Sequence, residues 1–165
     1  MTGSERVLVI GGTGKTGSRV AARLAREHGV VPVIAVRHPR PADVEAAGSV
    51  AFDWHEPAST LRALELVRPT AVYAVAPPRD PAPVTSMAPF LAAASRSGVR
   101  TAVLLGAKPV SAGDPGLGEV YDHVIDRFDR WAIVRPSWFM QDFFADHYLA
   151  AMVHDGVLRL SLIHI

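Results

Sequence analysis

The chain has no cysteine. Disulfides, zinc–thiolate sites, iron–sulfur clusters and a cysteine nucleophile are therefore excluded. The composition fits a reducing compartment, and the expected location is cytoplasmic. Lysine is nearly absent too: Lys15 and Lys108 stand alone among 17 basic residues. Arginine supplies the rest, a bias that lowers the weight of any one surface arginine. The 16 acidic residues leave a formal net charge of only +1, so no broad basic field marks a nucleic-acid surface. No apolar run approaches the ~18 residues of a membrane span. The start carries Glu5 and Arg6 and then a strand-like run, which is not a signal peptide. What remains is 165 residues, 49% of them hydrophobic. That is enough for one domain with a real core, and too apolar for disorder. The expected partner is a small molecule, with neither nucleic acid nor membrane involved.

The chain alternates short β-branched runs with longer amphipathic ones. Val7-Leu8-Val9-Ile10 is a continuous apolar run, as suits a strand buried on both faces. Gly17, Val20, Ala21 and Leu24 then fall on one helical face, with Gly29 as a C-cap candidate. Further strands are expected at Val31–Val36, Val50–Phe52, Ala71–Val75, Thr101–Leu105 and Trp131–Val134. Between them lie a helix opened by Pro57 and carrying Leu61, Leu64 and Val67, and one with Met87, Phe90, Leu91 and Ala94 inward, ended by Gly98. A third turns Leu117, Val120, Val124 and Phe128 inward. Phe139 to Val153 reads as a last helix, and Val157–Leu160 as the start of a seventh strand. This rhythm implies crossover units and a parallel sheet. The expected fold is α/β, a doubly wound parallel sheet of Rossmann type with about six strands and helices on both faces.

The most informative stretch is the loop between the first strand and first helix: Gly11, Gly12, Thr13, Gly14, Lys15, Thr16 and Gly17. It contains G-x-G-x-x-G after a buried strand and before a helix, the context that gives the motif its value. Glycines permit the tight turn, and a bare backbone lets a diphosphate reach the helix N-terminus. Gly17, on the inner helix face, allows close packing. Gly14-Lys15-Thr16 also looks like the end of a P-loop, but that motif needs a glycine where Val9 stands, so ATPase or kinase chemistry is not expected.

The second strand ends in Val36-Arg37-His38-Pro39-Arg40. A carboxylate near this point serves the ribose hydroxyls of NAD. A guanidinium instead suits the 2′-phosphate of NADP, and Lys15 is placed to reach the same phosphate. NADP(H) is thus favoured over NAD(H), with Arg37 and Arg40 as the candidate readers. The competing reading makes both arginines solvated loop charges.

Four motifs carry a family resemblance. They are the glycine loop, Asp53-Trp54-His55 after the third strand, Val75-Ala76-Pro77-Pro78 after the fourth, and Arg135-Pro136-Ser137-Trp138-Phe139-Met140 after the sixth. Together they resemble atypical short-chain dehydrogenase/reductases of the NmrA-like group. The nearest likeness is to reductases related to ergot alkaloid biosynthesis enzymes and to NAD(P)H-dependent azoreductase or quinone reductase homologues. The resemblance implies that Asp53 lies near the adenine and that Val75, Ala76 and Pro77 line the cofactor ribose. It also implies that Pro136, Ser137, Trp138 and Phe139 border the nicotinamide. Other roles remain open: Asp53 as a turn residue, Trp138 and Phe139 as partly core, and Pro77-Pro78 as a strand terminator.

The superfamily's usual active site pairs a serine with Tyr-x-x-x-Lys. Here the region after the fifth strand reads Leu105-Gly106-Ala107-Lys108, without serine. Tyr121 is followed at the lysine position by Ile125. A tyrosine without an adjacent cation is a poor proton relay at neutral pH, and Tyr121 shares a helix face with Val124 and Phe128, so a core role is expected. No catalytic residue is assigned. Hydride transfer then rests on cofactor orientation and on an acceptor needing little acid catalysis: a quinone, flavin, imine or azo compound. The alternative is a non-catalytic NAD(P)-sensing regulator, as some NmrA-like proteins are. The histidines form no H-x-x-x-H or H-E-x-x-H, and Asp142, Asp146 and His147 read as a solvated face, so no metal site is expected. His123 reads as a surface or helix-packing residue. No G-x-S-x-G elbow supports hydrolase chemistry.

The resemblance runs to about Leu160. Relatives continue with elements that build a substrate lobe, whereas Ser161-Leu162-Ile163-His164-Ile165 reads as translated adapter sequence. The expectation is one NAD(P)-binding domain over residues 1–160 of a reading frame cut short, with residues 161–165 a non-native tail.

Overall fold

The computed structural model describes residues 4–39, 48–140 and 148–156. Six strands are present: β1 (Glu5–Ile10), β2 (Val30–Val36), β3 (Ser49–Ala51), β4 (Ala71–Val75), β5 (Thr101–Leu105) and β6 (Arg130–Val134). All pair in parallel in the order β3-β2-β1-β4-β5-β6. This is the Rossmann order, with its switch point between β1 and β4. Leu8 sits at that centre, opposite Val33 on one side and Val72 on the other.

The central strands β1 and β4 are apolar where both their faces are covered, from Val7 to Ile10 and from Val72 to Ala74. Alternate residues of β1 feed two cores: Leu8 and Ile10 join the larger one, Val7 and Val9 the smaller. The larger is filled by α2 (Pro57–Val67), α3 (Val84–Arg96) and α4 (Leu117–Arg127). The smaller is closed by α1 (Gly17–Leu24), through Val20, Ala21 and Leu24. Pro57 occupies the first turn of α2 as expected, where its missing N–H costs nothing. The inward face of α3 is Met87, Phe90, Leu91 and Ala94, the expected four, although Pro89 lies inside that helix.

Several expectations need correction. Helix α1 ends at Leu24 with Ala25 as its cap, not at Gly29. After Leu24 the backbone tightens into i to i−3 bonds, from Arg26 to Arg23 and from Glu27 to Leu24. Gly29 instead shapes the turn into β2, with φ +79°, and its carbonyl accepts the Glu5 N–H at 2.7 Å. Leu61 points to solvent, whereas Leu64 and Val67 are buried. Phe139 precedes any helix, and the last described helix, α5, covers Tyr148–His154. Asp142, Asp146, His147 and the seventh strand at residues 157–160 lie outside the described residues, as does the 161–165 tail. Strand β6 is largely solvent-facing: Trp131 and Val134 are both about half exposed. No described helix is long and apolar enough to cross a membrane.

Candidate functional site

At the C-terminal ends of the strands lies a cleft of about 1140 Å³. Its position follows from topology: the crossovers leave β1 and β4 in opposite directions and open a crevice between them. Its floor is the glycine loop. Gly11, Thr13, Gly14, Lys15 and Thr16 all line it. Gly11 adopts φ +77°, a region that side chains rarely tolerate, and a Cβ there would lie 3.1 Å from the Val75 side chain. The Gly14 N–H donates to the Gly11 carbonyl at 2.9 Å and closes the turn. Gly12 and Gly17 are buried behind it. Any Cβ on Gly17 would run into the Gly11 carbonyl oxygen, with the Gly12 Cα at 2.8 Å. The close approach that Gly17 permits is therefore helix against loop.

The wall from β2 and β3 carries the polar groups. Arg37 and His38 follow β2, Asp53 and His55 follow β3, and all four line the cleft. Arg40 lies outside the described residues. One Asp53 carboxylate oxygen accepts the His55 N–H at 2.9 Å, and the Asp53 N–H donates to Ser59 Oγ at 2.9 Å. Asp53 thus shapes a turn and also lines the cleft. Ser49 also lines the cleft. Its Oγ is buried without a hydrogen-bond partner among the described residues.

The opposite wall is apolar. Val75, Ala76, Pro77 and Pro78 follow β4, Leu105 ends β5, and Phe139 reaches in from beyond β6. Of the motif after β6, only Phe139 lines the cleft. Pro136 is held outside it, where its carbonyl accepts the Lys108 N–H at 3.1 Å. Ser137 is exposed. Trp138 is 51% exposed and lies outside the cleft lining. Tyr121 is core, at 1% exposure. Its hydroxyl accepts the Ala107 N–H at 2.9 Å, and Ile125 packs against the same core. His123 is not among the residues lining the cleft.

Two ties across the site were not visible in the motifs. The Trp54 indole, packed edge-on against Phe52 and Phe90, reaches from the β3 wall to the backbone of Val75. The Tyr73 hydroxyl reaches from β4 to Thr16. The only hint of the second in the sequence is a hydroxyl in an otherwise aliphatic strand.

The donor set suits a dinucleotide: a bare-backbone cradle at a helix start, positive side chains at one end and an apolar wall at the other. Sequence comparison agrees. The uncharacterized oxidoreductase YesF of Bacillus subtilis (strain 168) is 38% identical over 139 residues, which is 83% of this chain and 46% of that protein. Agroclavine dehydrogenase of Claviceps fusiformis is 32% identical over 146 residues, 83% of this chain and 48% of that protein. The chain thus spans about half the length of these curated relatives. Among solved structures, Citrobacter sp. triphenylmethane reductase complexed with NADP(H) superposes with a TM-score of 0.68 at 19% identity. That match covers 93% of this chain and 56% of the reductase, and shows the shared fold. The model of the NAD dependent epimerase/dehydratase family matches residues 7–100, the span that holds the glycine loop and both sides of the switch point. With more than half of the chain matched, and with the Rossmann sheet order and glycine loop in place, the chain belongs to the NAD dependent epimerase/dehydratase family.

Proposed function

We propose that the chain binds NADP(H) in preference to NAD(H), as the cofactor half of an oxidoreductase that passes hydride to a small organic acceptor. The carrying observation is the polarity of the cleft. Every titratable side chain among its described lining residues belongs to the glycine loop or to the β2 and β3 wall: Lys15, Arg37, His38, Asp53 and His55. The wall beyond β4 offers only Val75, Ala76, Pro77, Pro78, Leu105 and Phe139.

In this reading the diphosphate rests on the α1 N-terminus, where backbone N–H groups and the helix dipole favour anions. Arg37 contributes a planar fork to the 2′-phosphate. Asp53 accepts from the adenine amine. Gly11, Gly12, Gly14 and Gly17 shape the cradle, and Thr13, Lys15 and Thr16 face it. Ala76 and Pro77 pack on the ribose beyond β4, and Phe139 shields the nicotinamide end from water. Bound NADPH supplies the hydride.

No Tyr–Lys pair takes part: the Tyr121 hydroxyl is buried against the Ala107 N–H, and Ile125 follows it on the helix. The reading therefore favours acceptors that take their proton from solvent, such as quinones, azo compounds and imines. NADPH oxidation by the longer parent protein, assayed across quinones, azo dyes, imines and triphenylmethane dyes, tests it. Turnover of at least one class is expected. Tight NADPH binding with no turnover across the panel makes the protein an NAD(P)-sensing regulator instead.

A further inference from the structure

Tyr73 sits in the middle of β4, paired with Val9 of β1 and Val103 of β5. It is 7% exposed and belongs to the small core with Val7, Val9 and Ala21. Phenylalanine would fill the same space without a polar atom, and a buried hydroxyl is unfavourable unless it is paired. This one donates to Thr16 Oγ1 at 3.0 Å. Thr16 is the residue that opens α1, and it lines the cleft.

A threonine at a helix start usually turns its oxygen onto the helix's own N–H groups. Thr16 makes no such bond. A hydroxyl has one proton and two lone pairs. With a lone pair engaged by Tyr73, Thr16 keeps its proton to give, and accepting a bond makes that O–H a stronger donor. In the first turn of α1 the Ser18 N–H is already paired, with the Gly14 carbonyl at 3.1 Å, so a side-chain donor there adds to what the backbone offers.

We propose that Tyr73 is a positioning residue for the diphosphate: through the sheet it fixes the Thr16 hydroxyl so that it donates to a diphosphate oxygen at the start of α1. The proposal rests on the dinucleotide reading above and adds a residue that does not itself touch the ligand.

Calorimetric titration of ADP-ribose, NADPH, NADH and 2′-AMP into wild type, Tyr73→Phe, Thr16→Val, the double variant and Thr16→Ser tests it. Tyr73→Phe should weaken the three diphosphate ligands by about three- to tenfold, the scale of one neutral hydrogen bond. It should leave 2′-AMP, which has no diphosphate, unchanged. The double variant should bind no more weakly than Thr16→Val alone, and Thr16→Ser should retain binding. Unchanged ADP-ribose affinity in Tyr73→Phe, additive losses, or an equal loss for 2′-AMP overturns the proposal. If Tyr73→Phe does not fold, the comparison of Thr16→Val with Thr16→Ser decides, and equal ADP-ribose affinity overturns it. A wild type that binds none of the diphosphate ligands fails differently: it removes the cofactor reading and this proposal with it.

Discussion

The indole Nε1 of Trp54 donates to the carbonyl oxygen of Val75 at 3.0 Å. The bond links the segment after β3 to the end of β4, and so joins the two walls of the cleft, which both residues line. Its neighbours hold the ring in place: Phe52 and Phe90 meet it edge-on at 4.8 and 5.3 Å.

Trp54→Phe keeps an aromatic body but leaves the Val75 carbonyl without its donor. A lost buried partner costs about 1–3 kcal/mol. Urea unfolding should show a loss of that size, together with weaker cofactor binding, because Asp53 and Val75 lose their common anchor. Unchanged stability would show that water replaces the indole at no cost.

Gly17→Ala sets two effects against each other. Alanine gains up to about 1 kcal/mol of helix propensity. Overpacking typically costs about 1–3 kcal/mol, and here the obstacle is the Gly11 backbone rather than a flexible side chain. The clash should win. Thermal melting should fall and ADP-ribose binding should weaken; a raised melting temperature contradicts the close contact between helix and loop.

Arg37→Gln tests cofactor choice. NADPH affinity should drop about tenfold, as expected for loss of a charge-assisted pair, while NADH affinity stays within about twofold of its starting value. The NADPH loss should shrink at high salt, since Arg37 is exposed and screening weakens surface charge. Equal losses for both cofactors would remove Arg37 from the 2′-phosphate site.

Tyr121→Phe separates a core tyrosine from a proton relay. Removing the hydroxyl strands the Ala107 N–H, so stability should fall by about 1–3 kcal/mol. Any NADPH-dependent turnover, and its pH profile, should persist once the variant is folded. A large fall in kcat at unchanged KM would restore a catalytic role for Tyr121.

Much of the fold is legible in the residues because parallel strands buried on two faces must be continuously apolar. Ala71–Val75 and Thr101–Leu105 have the same bounds in sequence and structure. Helical period likewise picks out the four buried residues of α3, even through Pro89. The glycine loop is legible because backbone approach demands glycine. Side-chain ties between distant segments leave no periodic trace. Tyr73 and Thr16 are 57 residues apart, and nothing in either local pattern names the other. Gly29 looks like a cap because glycine marks both helix ends and turns, and only the hydrogen bonds distinguish them.

Strand β1 is hydrogen-bonded to β2 on one edge and to β4 on the other, with Val7, Leu8 and Val9 opposite Ala71, Val72 and Tyr73. The first pairing closes a short crossover, and the second spans more than sixty residues. Closing the longer loop carries the greater entropic barrier and slows folding. The glycine loop should therefore form before its contact with the wall beyond β4. A ligand that spans both walls binds only the state in which that long-range pairing is made, and stabilises it in proportion to ligand concentration. Amide exchange at Val7 to Val9 should slow on cofactor addition more than exchange in the surface turns, giving the seam between the two halves of the sheet a kinetic signature of its own.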